Sequence, residues 1–118
     1  MAKHNQVGRK AEDLAASYLE GLGYQVLHKN WRYGHREIDI IAVYQSKLKI
    51  IEVKALSAPA IRHPEQAVNR KKFLSIARVA KEFIYGHPQF RDVEFQVLAV
   101  YFNVDSTAEY TLIRDVFL

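Results

Sequence analysis

Cysteine is missing from all 118 residues. That absence removes disulfides, zinc–thiolate sites and thiol nucleophiles, and it suits a reducing compartment. No apolar run approaches the ~20 residues of a membrane span, and the opening residues Met1-Ala2-Lys3-His4-Asn5-Gln6 are polar. The expectation is a cytoplasmic protein with no membrane partner. There is no glycine-rich phosphate loop, Ser57 has no nucleophile elbow, and His4, His28, His35, His63 and His87 lack metal-ligand spacing. Only His35 stands beside an acidic segment. Internal repeats and low-complexity tracts are absent as well.

What is present is ordinary in bulk: 49% hydrophobic and 25% charged residues, enough for a single domain over residues 1–118 with a real core. Seventeen Lys and Arg against thirteen Asp and Glu leave a formal charge of +4, which permits an anionic partner such as nucleic acid.

Periodicity predicts a helix from Gln6 to Leu22, with Asn5 as cap and Val7, Ala11, Leu14, Ala15, Tyr18, Leu19 and Leu22 as its apolar stripe. Tyr24 to Trp31 reads as a strand with Tyr24, Val26 and His28 on one side, and Tyr33-Gly34-His35 turns into the next. Gln45-Ser46-Lys47 forms a hairpin to a third strand, Leu48 to Ala55. After a loop over Ala58 to His63, Pro64 opens a second helix running to Tyr85, with Ala67, Phe73, Ile76, Ala77, Ala80, Phe83 and Ile84 buried. Phe95 to Phe102 is a nearly all-apolar central strand, and Tyr110 to Phe117 closes the order αβββαββ.

Two segments carry the chemistry: Arg36-Glu37-Ile38-Asp39-Ile40-Ile41-Ala42 and Ile50-Ile51-Glu52-Val53-Lys54-Ala55. As strands, they place Glu37 with Asp39 and Glu52 with Lys54, and leave Ile38, Ile40 and Ala42 and Ile51, Val53 and Ala55 for the core. With i and i+2 residues roughly 7 Å apart and paired strands about 5 Å apart, three carboxylates and an ammonium can reach one point. Like charges so crowded push protons back onto the carboxylates, and a divalent cation removes that penalty.

Gly8-Arg9-Lys10-Ala11-Glu12, Asn30-Trp31-Arg32, Glu37-Ile38-Asp39-Ile40-Ile41-Ala42 and Ile51-Glu52-Val53-Lys54, in that order, resemble the PD-(D/E)xK nuclease superfamily. Within it the chain is similar to the small bacterial YraN-like proteins, near the archaeal Holliday-junction-resolvase branch. A fainter match is Pro64-Glu65-Gln66-Ala67-Val68 followed by Lys71. The resemblance implies a restriction-endonuclease-like α/β fold, a mixed central sheet flanked by helices, with a metal-dependent nuclease site. The chain departs from the family pattern at Arg36, where glycine is usual, and at Ala55-Leu56, where a Thr-Arg-like pair is usual. The second change removes an expected phosphate contact, and the sequence leaves open whether Arg36 replaces it.

On that resemblance, Asp39, Glu52 and the Val53 carbonyl form a Mg²⁺ or Mn²⁺ site, since hard oxygen ligands suit both ions. Lys54 orients or deprotonates water or holds the phosphate, Glu12 binds a second metal or its water, and Glu37 and Gln66 are auxiliary. Arg9, Arg32, Arg36, Arg70, Lys71 and Lys72 are candidates for phosphate contacts. Trp31 and Tyr33 suit base stacking or, more commonly, half-buried packing.

Each feature also has a plain explanation. Glu-x-Lys on a strand is commonly a solvated ion pair, Lys54 can neutralise Asp39, and an acid early in a helix is favoured by the helix dipole. Three functions therefore stand at this level. The first is a metal-dependent DNA endonuclease acting on branched or nonspecific DNA, with a homodimer expected if both strands are cut and Val116-Phe117-Leu118 as interface or core. The second is a noncatalytic nucleic-acid-binding adaptor, and the third an interaction protein whose acidic cluster is a salt-bridge network.

Overall fold

A computed structural model describes the backbone of residues 2–58 and 69–114, and the side chains within them from Gly8 onward. The elements are α1 (Ala2–Gly21), β1 (Gln25–Tyr33), β2 (Arg36–Tyr44), β3 (Lys47–Ser57), α2 (Arg70–Tyr85), β4 (Val93–Phe102) and β5 (Ala108–Ile113). Among the described residues the elements follow the expected sequence of helix, three strands, helix and two strands. The five strands form one mixed sheet in sequence order, with β3 and β4 parallel and the other neighbours antiparallel. A parallel pair needs a crossover connection, and the segment carrying α2 supplies it.

The helices cover opposite faces. Ala11, Ala15, Ala16 and Leu19 of α1 pack against Ile40, Ala42, Ile51, Leu98 and Val100. Ile76, Val79, Ala80 and Phe83 of α2 pack against Ile38, Ile41, Leu48 and Ile50. Buried on both faces, β4 reads as the continuous apolar run expected of a central strand.

Several boundaries differ from the sequence reading, each for a local reason. Asn5 lies inside α1, which begins at Ala2, and so it is not the cap. Leu22 lies beyond the helix and is exposed. The cap of α2 is Asn69, extended at φ −121° and ψ 109°, whose side chain accepts from the Lys72 amide at 3.1 Å; the helix starts at Arg70, and Pro64, Gln66 and Ala67 lie outside the described residues. Val79 joins the buried stripe of α2 and Ala16 that of α1. β5 ends at Ile113, and Val116-Phe117-Leu118 also lie outside the described residues. The turn between β2 and β3 uses Gln45 and Ser46, both at positive φ (51° and 66°), as a two-residue hairpin of this hand requires.

Two departures from strict alternation bear on the site. A bulge between Val26 and His28 turns His28 away from the α1 face, so its ring meets the edge of Phe83 on α2 at 5.6 Å. Ile38 packs in the α2 cluster although Ile40 and Ala42 pack under α1, so the expected common face for these three is broken at Asp39.

Candidate metal centre

The β2–β3 ladder runs from Tyr44↔Lys47 to Ile40↔Ile51 and goes no further. Beyond it, β3 stays paired with β4 as far as Ser57↔Phe102, while β2 stays paired with β1 through Trp31↔Ile38 and Arg32↔Glu37. The two halves of the sheet therefore part at Asp39. Its Oδ2 takes the place of a ladder carbonyl, accepting the Val53 N–H at 2.9 Å. A carboxylate is thus held in the seam by backbone, which fixes its position far better than rotamer preference alone.

Glu12 descends from α1 to the same point. One carboxylate oxygen each of Glu12, Glu37 and Asp39 lies within 4.8 Å of the others. Asn30 sits across from Asp39 in the β1–β2 register, between the pairs Lys29↔Ile40 and Trp31↔Ile38. Its backbone is left-handed, φ 55°, and its side chain hydrogen-bonds the Glu12 carboxyl. That conformation costs an ordinary residue about 1 kcal/mol, and asparagine tolerates it better than most. The kink lets successive residues serve the α1 side, Lys29 pairing with Asp13 at 3.0 Å and Asn30 with Glu12, before Trp31 returns to Phe83 of α2.

Glu52 alternates to the α2 side and is 5% exposed. The ammonium of Lys72, in the first turn of α2, contacts its Oε1. Its Oε2 is buried and has no hydrogen-bond partner among the described residues. A buried carboxylate oxygen left bare is costly, and such a group calls for an explanation.

Electrostatics follow from this crowding. Burial, reinforced by the charges of Glu12 and Glu52, pushes Asp39 up to about 7 against the lowering effect of the Val53 N–H and Lys72. Burial and the nearby Glu37 likewise raise Glu12 above its usual value, although the Asn30 hydrogen bond opposes them. Burial by itself would lower the Lys72 ammonium; the hydrogen bond and charge of Glu52 outweigh it and hold Lys72 above its usual value. Three carboxylates, Glu12, Glu37 and Asp39, come close enough together to suit a hard divalent cation, and Glu52 acts on Asp39 from the α2 side with one buried oxygen that has no partner among the described residues.

The remaining sequence candidates distribute unevenly. Lys54 is exposed and makes no ion pair with another described residue. Lys72, assigned from sequence to phosphate contact, pairs with Glu52 and acts on Asp39, a part considered for Lys54. Arg32 is tied to Glu37 at 3.0 Å. Arg9, Arg36, Arg70 and Lys71 are exposed, as phosphate contacts must be. Trp31 packs edge-on against Phe83 at 5.3 Å, so packing describes it better than stacking, whereas Tyr33 remains 52% exposed. His35 is exposed, and Gln66 lies outside the described residues. Sequence reasoning did not give Asn30 a role; its signals are its place in the Asn30-Trp31-Arg32 block and an asparagine interrupting an otherwise strand-forming run.

Known proteins bear on the same stretch. The family model described as "Uncharacterised protein family UPF0102" matches residues 11–100, which takes in Glu12, Asn30, Glu37, Asp39, Glu52, Lys54 and Lys72. A UPF0102 protein of Bacteroides thetaiotaomicron is 38% identical over 100 residues, covering 85% of this chain and 83% of that protein. A UPF0102 protein of Flavobacterium johnsoniae is 35% identical over 112 residues, 92% of this chain and 91% of the relative. One from Porphyromonas gingivalis is 33% identical over 109 residues, 92% and 81% respectively. The acidic seam therefore lies inside a region matched along nearly its whole length, and the chain belongs to UPF0102, the YraN-like family it was expected to resemble.

Proposed function

We propose that the protein is a metal-dependent endonuclease that hydrolyses phosphodiester bonds in DNA, with branched or recombining DNA as its substrate. The observation that carries this reading is the buried Oε2 of Glu52, without a partner among the described residues, beside a seam in which Asp39 is already forced up to about 7. A folded protein keeps such an arrangement at a cost in stability, and a divalent cation relieves it.

In this reading Asp39, Glu52 and the Val53 carbonyl hold Mg²⁺ or Mn²⁺, with Glu12 and Glu37 as further oxygen donors. Bound there, the ion supplies Lewis acidity to the phosphate and to attacking water. Asn30 orients Glu12, and the Val53 amide orients Asp39. Lys54, exposed two residues from Glu52, orients the water or holds the phosphate. Arg9, Arg36, Arg70 and Lys71 contact the DNA backbone, which favours recognition by shape over base readout. Cutting both strands of a symmetric junction calls for a homodimer.

A noncatalytic DNA-binding adaptor is the second reading. Its support is that Glu52 and Glu37 are already paired with cations of the chain, Lys72 and Arg32. The purified protein, incubated with linear, single-stranded, flap and four-way-junction DNA in Mg²⁺, Mn²⁺ or EDTA, separates the two. Cleavage that needs metal and disappears in Glu52→Ala and Lys54→Ala supports the nuclease. Binding without cleavage supports the adaptor, and neither binding nor cleavage removes both.

A further inference from the structure

The lysine that enters the acidic seam comes from a helix, not from the Glu-x-Lys strand. Lys72 lies in the first turn of α2, which begins Arg70-Lys71-Lys72 and contains no acidic residue there. A helix N-terminus carries partial positive charge, so three cations at that end are locally unfavourable. Asn69 fixes the first turn through its bond to the Lys72 amide, which aims this side chain at Glu52 while Lys54 stays in solvent. Among the described residues one oxygen of Glu52 is engaged, and the other is buried without a partner.

We infer that Lys72 is a positioning residue for the metal centre: its ammonium is a tethered counter-ion that holds Glu52 before a divalent cation arrives and competes with that cation for the same carboxylate. The inference rests on the metal-dependent reading above and adds to it a second lysine with a role distinct from that of Lys54. Metal-free protein is then kept folded by the same contact that metal must displace.

The test compares the unaltered protein with Lys72→Met, Lys72→Gln, Lys72→Arg and, as a control for net charge, Lys71→Met. Mn²⁺ affinity is read by electron paramagnetic resonance of free Mn²⁺, and thermal stability by circular dichroism with and without Mn²⁺. Lys72→Met is expected to bind Mn²⁺ about tenfold more tightly than Lys71→Met, a coupling of ordinary size. It should also melt lower without metal and gain more from Mn²⁺ than the unaltered protein does. Lys72→Arg should restore both values. Should Lys72→Met fail to fold, Lys72→Gln keeps a donor for Glu52 without the charge and carries the same expectation for Mn²⁺. Equal or weaker Mn²⁺ affinity in the neutral Lys72 variants overturns the counter-ion role alone. Failure of the unaltered protein to bind Mn²⁺ overturns the metal centre itself.

Discussion

Two lysine–glutamate pairs flank β3, and they are built in opposite senses. Lys49 and Glu94 are register neighbours across the parallel β3–β4 seam. There the lysine is the buried member, and Glu94 is 40% exposed with Lys47 as a second partner at 3.3 Å. Lys49, with Lys47 after it, holds the Glu94 carboxyl below its usual value. In the other pair the carboxylate is buried, the lysine is 58% exposed, and one carboxylate oxygen has no partner among the described residues. The lesson is that an ion pair reads as structural when its buried charge is satisfied, and as a binding site when the buried charge is left half-satisfied next to further like charges.

The largest effect that could break the comparison is on activity. Glu52→Gln and Asp39→Asn should each lower metal-dependent DNA cleavage by roughly a thousandfold, the scale of several kcal/mol of charge stabilisation. Glu94→Gln should leave it within about twofold. Equal losses from both pairs in a gel assay of junction cleavage would erase the distinction.

Stability offers the next contrast. Glu94→Ala leaves the buried Lys49 short of its main partner and should cost about 2–3 kcal/mol in urea unfolding, unaffected by Mn²⁺. Lys72→Ala should also destabilise, but Mn²⁺ should recover the loss. A Glu94→Ala protein rescued by Mn²⁺ would contradict the structural role given to that pair.

A pH series sharpens the electrostatic side. Asp39 is raised from 3.8 to about 7 in the folded protein, so the folded state keeps this proton to higher pH than the unfolded chain does. Its contribution is therefore fully present below about pH 4 and is lost as pH rises toward 7. Asp39→Asn keeps an acceptor for the Val53 N–H and removes the charge. It should remove that pH dependence and, at pH 8, stabilise the metal-free protein by about 1–3 kcal/mol, each pKa unit being worth about 1.4. Thermal melts of both proteins across pH 4–8, without metal, check this; parallel curves would show that Asp39 is not the group responsible.

The smallest expected effect is at Asn30. Asn30→Gly keeps the left-handed backbone accessible but removes the bond to Glu12, and should weaken Mn²⁺ binding by about tenfold with little loss of stability. Asn30→Ala should lose about 1 kcal/mol of stability in addition. Calorimetric Mn²⁺ titration and urea melts of the two variants separate orientation of Glu12 from backbone strain.

Much of the fold was legible because it rests on periodicity. The element order and the α1 stripe around Ala11, Ala15 and Leu19 follow from it, as does the burial of Ile51 beneath α1. What periodicity misplaced was local backbone geometry. The bulge before His28 and the left-handed Asn30 each interrupt a period of two, so faces assigned by strict alternation shift there. At the site, Glu12, Glu37 and Asp39 were named from their chemistry and order, and they meet. The contact between Lys72 and Glu52 had no signal in the sequence, because the two residues are near only in space.

By itself the sequence determined the inventory: which elements form, which faces are apolar, which carboxylates are available, and that no thiol chemistry exists. Tertiary structure alone decided where the ladder between β2 and β3 stops, that the Asp39 carboxylate accepts the Val53 amide, and that α2 delivers Lys72 to Glu52. The physical reason is range. Propensity and alternation are set by neighbours a few residues away, whereas hydrogen bonds and buried charges are settled between segments that only the packed sheet brings together.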